Sequence, residues 1–113
     1  MKAHYSATLP LRIMSAANLR EHWAVRAKRV KCERMAALAL SITLPLPVVV
    51  ALTRIAPRPL DDDNMIGGFK GLRDGIADRL GIADNDPRVR WTYGQEKGQE
   101  YAVRVEVTPM EPA

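Results

Sequence analysis

Apolar and polar positions divide the chain into a short series of elements. Residues 3 to 13 (Ala-His-Tyr-Ser-Ala-Thr-Leu-Pro-Leu-Arg-Ile) read as extended, with Pro10 marking an edge strand or the point where a strand stops. From Ser15 to Leu40 there is no Gly or Pro, and Ala, Arg, Lys, Leu and Met dominate, which predicts a long helix capped by Ser15 or Asn18. Trp23, Ala27, Val30 and Leu38 give that helix a ragged apolar stripe. After Leu44-Pro45-Leu46-Pro47, the β-branched run Val48 to Ile55 is the best strand in the chain, ended by Pro57 and Pro59. A second helix is predicted from about Asp63 to Leu80, because Met65, Phe69, Leu72, Ile76 and Leu80 recur at helical spacing and Gly81 stops it. Arg88 to Thr92 and Tyr101 to Thr108 alternate as strands around a polar turn, Gly94 to Gly98. The order β-α-β-α-β-β predicts one α+β domain over residues 1–113, with a small mixed or antiparallel sheet covered by helices.

Composition fits that picture, since 113 residues suffice for one core and not for two. The net charge of +4 says little as a total. Its distribution says more: residues 1–60 hold ten Lys/Arg against two acidic residues, residues 61–86 hold seven Asp against three Lys/Arg, and the remainder cancels. The dense basic run Arg20, Arg26, Lys28, Arg29, Lys31 and Arg34 is either a solvated helix surface or a phosphate-contacting one. Cys32 is the lone cysteine, so there is no intrachain disulfide, no zinc cluster, and a reducing, cytoplasmic setting is the default expectation. Pro45 and Pro47 break the apolar stretch Met35 to Leu52 below the length of a membrane span, and Met1-Lys2-Ala3-His4-Tyr5 lacks the apolar core of a signal peptide.

The candidate chemistry lies in Arg58-Pro59-Leu60-Asp61-Asp62-Asp63-Asn64, between the best strand and the second helix. Three consecutive carboxylates repel one another, and a cation would relieve that cost. Helix capping is the plainer explanation and accounts for one or two of them. A calcium loop starting at Asp61 fails, because its sixth position is Ile66 and its twelfth is Leu72. Gly67-Gly68 with Lys70 lacks phosphate-loop spacing, so no nucleotide cofactor is implied. On a helix starting at Asp63, Lys70 at i+7 and Asp74 at i+11 share its side and avoid the apolar stripe. The plain alternative for Lys70 and Asp74 is a surface i,i+4 pair. Asp84-Asn85-Asp86-Pro87 is an acidic turn that could return a third carboxylate to the same end of the sheet, or simply an Asx turn before proline. Carboxylates converging with a lysine suit Mg²⁺-assisted phosphoryl transfer.

These residues resemble the RusA-like Holliday-junction resolvases, whose signature is D-x-D-N, a lysine on the following helix, and an aspartate three residues before a valine that opens the next strand. The likeness covers roughly residues 56–93. It implies that Asp61, Asp63 and Asp86 are metal-binding catalytic carboxylates, with Asp84 competing for the third place, and that Lys70 is needed for cleavage. Asp62 falls at the variable position. The lysine follows the second aspartate by seven residues where the family commonly has four; both intervals lie on roughly the same side of a helix. The resemblance further implies Mg²⁺, with Mn²⁺ as a substitute, and a cytoplasmic homodimer of bacterial or prophage type. Such a dimer binds a four-way DNA junction on a basic surface that would include Arg20, Arg26, Lys28, Arg29, Lys31 and Arg58, and nicks two symmetry-related strands. Two alternatives stand beside it: a branched-DNA-binding protein without nuclease activity, and a small dimeric interaction protein.

Overall fold

In the computed structural model, which describes residues 4–14 and 23–110, the apolar blocks of the sequence become four strands and three helices. β1 (Tyr5–Leu9) stops at Pro10, and it turns Tyr5, Ala7 and Leu9 toward the core while Ser6 and Thr8 face outward. α1 (Trp23–Leu38) carries the basic run; the expected caps Ser15 and Asn18 lie outside the described residues. β2 (Val48–Ala56) buries Val48, Val50, Leu52, Arg54 and Ala56 on one face. α2 (Asp62–Gly68), α3 (Lys70–Leu80), β3 (Val89–Lys97) and β4 (Ala102–Pro109) complete the chain.

The strands form one mixed sheet in the order β1-β4-β2-β3. β4 pairs antiparallel with both β1 and β2, whereas β2 and β3 run parallel from Val48↔Val89 to Ala56↔Lys97. The predicted helical stripe is the core: Met65, Phe69, Leu72 and Ile76 are buried with Val50, Leu52, Val103, Val105 and Val107 of the sheet.

Two expectations about local structure are corrected. The predicted single helix from Asp63 to Leu80 is interrupted at Phe69, where the amide is shared between the Met65 and Ile66 carbonyls, at 3.2 Å each. The break follows Gly67-Gly68, the weakest helix formers in the segment. Gly68 is also held against the chain leaving β1, where a Cβ would run into the Met14 carbonyl. The predicted turn at Gly94 to Gly98 is instead strand as far as Lys97, with the connection moved to residues 98–101. The nine-residue parallel ladder with β2 overrides the local glycine and polar signals there.

α1 packs on α3 through glycines. A Cβ at Gly75 would lie 2.8 Å from the Ala37 Cβ and the Arg34 Cα, and one at Gly71 would lie 3.0 Å from a Glu33 carboxylate oxygen. Spaced four apart, these glycines form a side-chain-free strip that brings the basic helix close to the one that begins with Lys70.

Candidate functional site

The acidic junction is carried on a loop pinned from beneath. Arg54 is buried on β2, and its Nε donates to the Ile13 carbonyl at 3.3 Å while Nη1 donates to the Arg58 carbonyl at 2.8 Å and to Gln95 Oε1 at 3.3 Å. Burial pulls its pKa below the ordinary range, Tyr101 opposing and Arg12 reinforcing the shift; an arginine stays charged regardless. Gln95, on the adjacent β3, grips Leu60 at two points, accepting from its amide at 2.8 Å and donating to its carbonyl at 2.7 Å. The buried guanidinium and the side-chain amide thus satisfy loop polar groups that have no strand partner.

The residue after Leu60 is Asp61, at the N-cap position of α2 with extended backbone (φ −60°, ψ 148°). Its side chain makes no capping hydrogen bond, and Asp61, Asp62 and Asp63 are all exposed. Capping therefore does not occupy the Asp61 carboxylate, while Asp62 and Asp63 sit in the first turn, where they complement the helix dipole.

Lys70 opens α3, seven residues beyond Asp63 and across the break at Phe69, so the two do not share one continuous helix as expected, and it is well exposed. Its Nζ lies 3.4 Å from Asp74 Oδ2, the plain i,i+4 pair. Asp74 is also approached by Arg34 Nη1 at 3.9 Å, and Arg34 bonds to Asp78. Lys70 is thus linked to the basic helix through Asp74, and Asp78 adds a second tie from α3 to Arg34.

The third carboxylate lies elsewhere. β2 and β3 are parallel, so the crossover returns the chain to the starting end of the sheet. Asp61 follows the carboxyl end of β2, whereas Asp86 precedes the amino end of β3. From Gln95, which holds Leu60, back to Val89 is six strand residues, on the order of 20 Å. The expected return of Asp86 to the same end of the sheet is corrected accordingly for a single chain. Among the described residues, no three His, Cys, Asp or Glu side chains are grouped to hold one ion.

Asp86 is instead closed on its own turn. Arg88 donates to it from Nε at 3.0 Å, from Nη2 at 2.7 Å and from its amide at 2.9 Å. These bonds, the side-chain pair first, hold the carboxyl down to about 2. Asp84, the competing residue, is anchored through its carbonyl, which accepts from Arg73 Nη2 at 2.9 Å and Trp91 Nε1 at 3.1 Å. Arg73 also stacks over Trp91, 4.8 Å from the ring centroid, and donates to the Tyr93 hydroxyl at 2.7 Å. The acidic turn is tied to α3 and β3, between which it runs.

Of the predicted DNA-contacting residues, Arg26, Lys28, Lys31 and Arg58 are exposed, Arg29 bonds the buried Glu33 at 3.0 Å, and Arg20 lies outside the described residues. Arg54, Gln95 and Arg73 escaped the sequence reading. For Arg54 a signal was present: a charge at an inward position of an apolar strand requires buried partners.

No family model matches the chain. It is 46% identical over 81 residues to an uncharacterized protein of Xylella fastidiosa (strain Temecula1 / ATCC 700964), an alignment covering 59% of this chain and 51% of that protein. The chain spans about half the length of that relative.

Proposed function

We propose that this protein is a Mg²⁺-dependent, structure-selective DNA endonuclease of the RusA type, acting on four-way junctions as a homodimer. The observation that carries the reading is the Asp61–Asp63 junction: three exposed carboxylates, the first without a capping bond, on a loop fixed by Gln95 and Arg54. Holding unspent carboxylates on a rigid platform favours an oxygen-ligated cation. A bound Mg²⁺ would activate water and stabilise charge on the phosphate, and Mn²⁺ would substitute.

Asp61 and Asp63 are the ligands one chain offers at this end of the sheet. Asp86 lies too far away to join them in the same chain, so in a dimer it would serve the partner's junction, exchanging the Arg88 bonds for a metal ion. Two symmetric strand cuts need two related sites, and a two-fold dimer supplies them. Lys70 contributes positive charge on the adjacent helix, and the exposed basic residues of α1 supply sequence-independent phosphate contacts.

The test is nicking of a synthetic four-way junction with Mg²⁺ by wild type, Asp63→Asn, Asp86→Asn and an equimolar mixture of the two variants. Each variant alone is expected to be inactive. Their mixture is expected to regain nicking, because a heterodimer then holds one complete site. Inactivity of wild type across junction sequences, with salt-sensitive junction binding retained, would assign the non-catalytic DNA-binding reading. Full activity in Asp63→Asn would refute the residue assignment.

A further inference from the structure

At the carboxyl ends of the parallel strands β2 and β3 lies a cleft of about 190 Å³, lined in part by Arg54, Pro57, Arg58, Pro59, Gln95 and Lys97. Arg54 and Gln95 form its frame, with Arg54 Nε and Nη1 and both polar atoms of the Gln95 side chain engaged by Ile13, Arg58 and Leu60. Glu96, the carboxylate on the lining, is held by Arg104 at 2.8 Å. Arg58 and Lys97 differ in being exposed; like Arg54, neither forms an ion pair among the described residues. Two exposed, unneutralised cations thus border a preformed cleft, with the buried Arg54 guanidinium adding a third positive charge behind them, and its prolines are rigid, apolar and without N–H donors. Asp61 is three residues from Arg58 along the chain.

Size and charge narrow the occupant. Pockets for whole small molecules run to roughly 300–1,000 Å³, so this one suits a smaller fragment. The position is where parallel sheets bind ligands, outside the carboxyl ends of the strands. We propose that the cleft binds one sugar–phosphate unit of a DNA strand, its phosphate between Arg58 and Lys97 and its deoxyribose against Pro57 and Pro59. The further assignment, that this unit flanks the phosphate cut at Asp61, rests on the nuclease reading.

The experiment titrates the full chain with 2-deoxyribose 5-phosphate, and separately with inorganic phosphate, following backbone amide shifts. Saturable shifts at Arg58 and Gln95 to Lys97 are expected, lost in Arg58→Ala and Lys97→Ala, with tighter binding of the sugar phosphate than of phosphate. Shifts confined to α1, or none, would overturn the cleft assignment; equal binding of the two probes would overturn the sugar contact. In junction cleavage, Lys97→Ala is expected to raise KM about tenfold with kcat within about twofold, as loss of one charged hydrogen bond does. The salt slope of junction binding should fall by about one. Wild type that never nicks defeats the nuclease reading, and the titration still decides the cleft. Wild type that nicks while the cleft shows no shifts and Lys97→Ala cleaves normally overturns the cleft and leaves the reading standing.

Discussion

Replacing Gly75 with Ala tests how closely the basic helix is seated. Two effects oppose one another. In a helix interior Ala is favoured over Gly by about 1 kcal/mol. Against this, the new Cβ would sit 2.8 Å from the Ala37 Cβ, 2.8 Å from the Arg34 Cα and 2.9 Å from the Arg34 carbonyl oxygen. Carbon atoms pack at about 3.5–4.0 Å, so the gap must open by about 0.7–1.2 Å. Two of the three obstructing atoms are backbone, and no rotamer change moves them; α1 itself must shift. Overpacking typically costs about 1–3 kcal/mol, and a backbone obstruction belongs at the upper end, leaving about 2 kcal/mol of net destabilisation after the propensity gain.

Unfolding entropy of about 2.1 cal/mol/K per residue gives about 0.24 kcal/mol/K for this chain, so Tm should fall by about 8 °C. Calorimetry reads the shift, and amide exchange should show the largest loss of protection in α1. Gly81→Ala is the control. Gly81 has φ 72° and no neighbour within 4 Å of a Cβ, so Ala there costs about 1–2 kcal/mol of backbone strain without moving α1. Adding Ala37→Gly to Gly75→Ala removes one obstruction of three and should rescue only partly. A Gly75→Ala protein as stable as wild type, or more stable, would refute the close α1–α3 packing.

Two further predictions concern the junction and the turn. Gln95→Ala removes two bonds to Leu60 and one from Arg54, at about 1 kcal/mol each, so Tm should drop by about 8–12 °C, with the Leu60 amide losing its exchange protection. Retained protection at Leu60 would show that the clamp does not hold the loop. For Asp86, the folded carboxyl is held at about 2, below its ordinary 3.8, so its stabilising bonds to Arg88 are complete above about pH 4 and are lost as pH falls through about 2. Arg88→Ala removes the side-chain pair and keeps the backbone amide bond, so the carboxyl carbon should titrate by NMR above about 2 and still below 3.8, and a midpoint unchanged at about 2 would refute the assignment to the Arg88 side chain.

Most of the fold could be read from local patterns because its elements are amphipathic in the ordinary way. The Met65-Phe69-Leu72-Ile76 stripe and the Val48 to Ala56 run each encode one buried face, and both lie where expected. The misses have tertiary causes. Gly94 to Lys97 has poor strand chemistry and becomes strand because β2 supplies a nine-residue partner. By intrinsic propensity Gly71 and Gly75 weaken a helix, and only the presence of α1 makes them contact positions. Trp23 and Leu38 gave α1 its apparent core stripe, yet both are exposed, and the buried positions are Glu33 and Ala37. A helix packed against glycine can bury the small and charged residues that a hydrophobic pattern ignores.

The candidate site was legible as residue types and less so as geometry, because a spacing in sequence does not carry strand direction. Asp61-x-Asp63 and the Asp86 turn are separated by one crossover, and everything turns on whether the strands it joins are antiparallel or parallel. An antiparallel hairpin would return Asp86 beside Asp61; a parallel pair sends it to the far end of a nine-residue strand. A crossover of more than thirty residues containing a helix is itself the mark of a parallel connection, so the sequence held the information in the length of the segment between the strands. The consequence for chemistry follows directly. If three carboxylates share one ion, the chain must meet a second copy of itself, and mixing Asp63→Asn with Asp86→Asn must restore what neither has alone. A mixture as inactive as its components, at concentrations where wild type dimerises, would refute the placing of Asp86 at the partner's junction; an active Asp86→Asn would leave Asp61 and Asp63 to act without it.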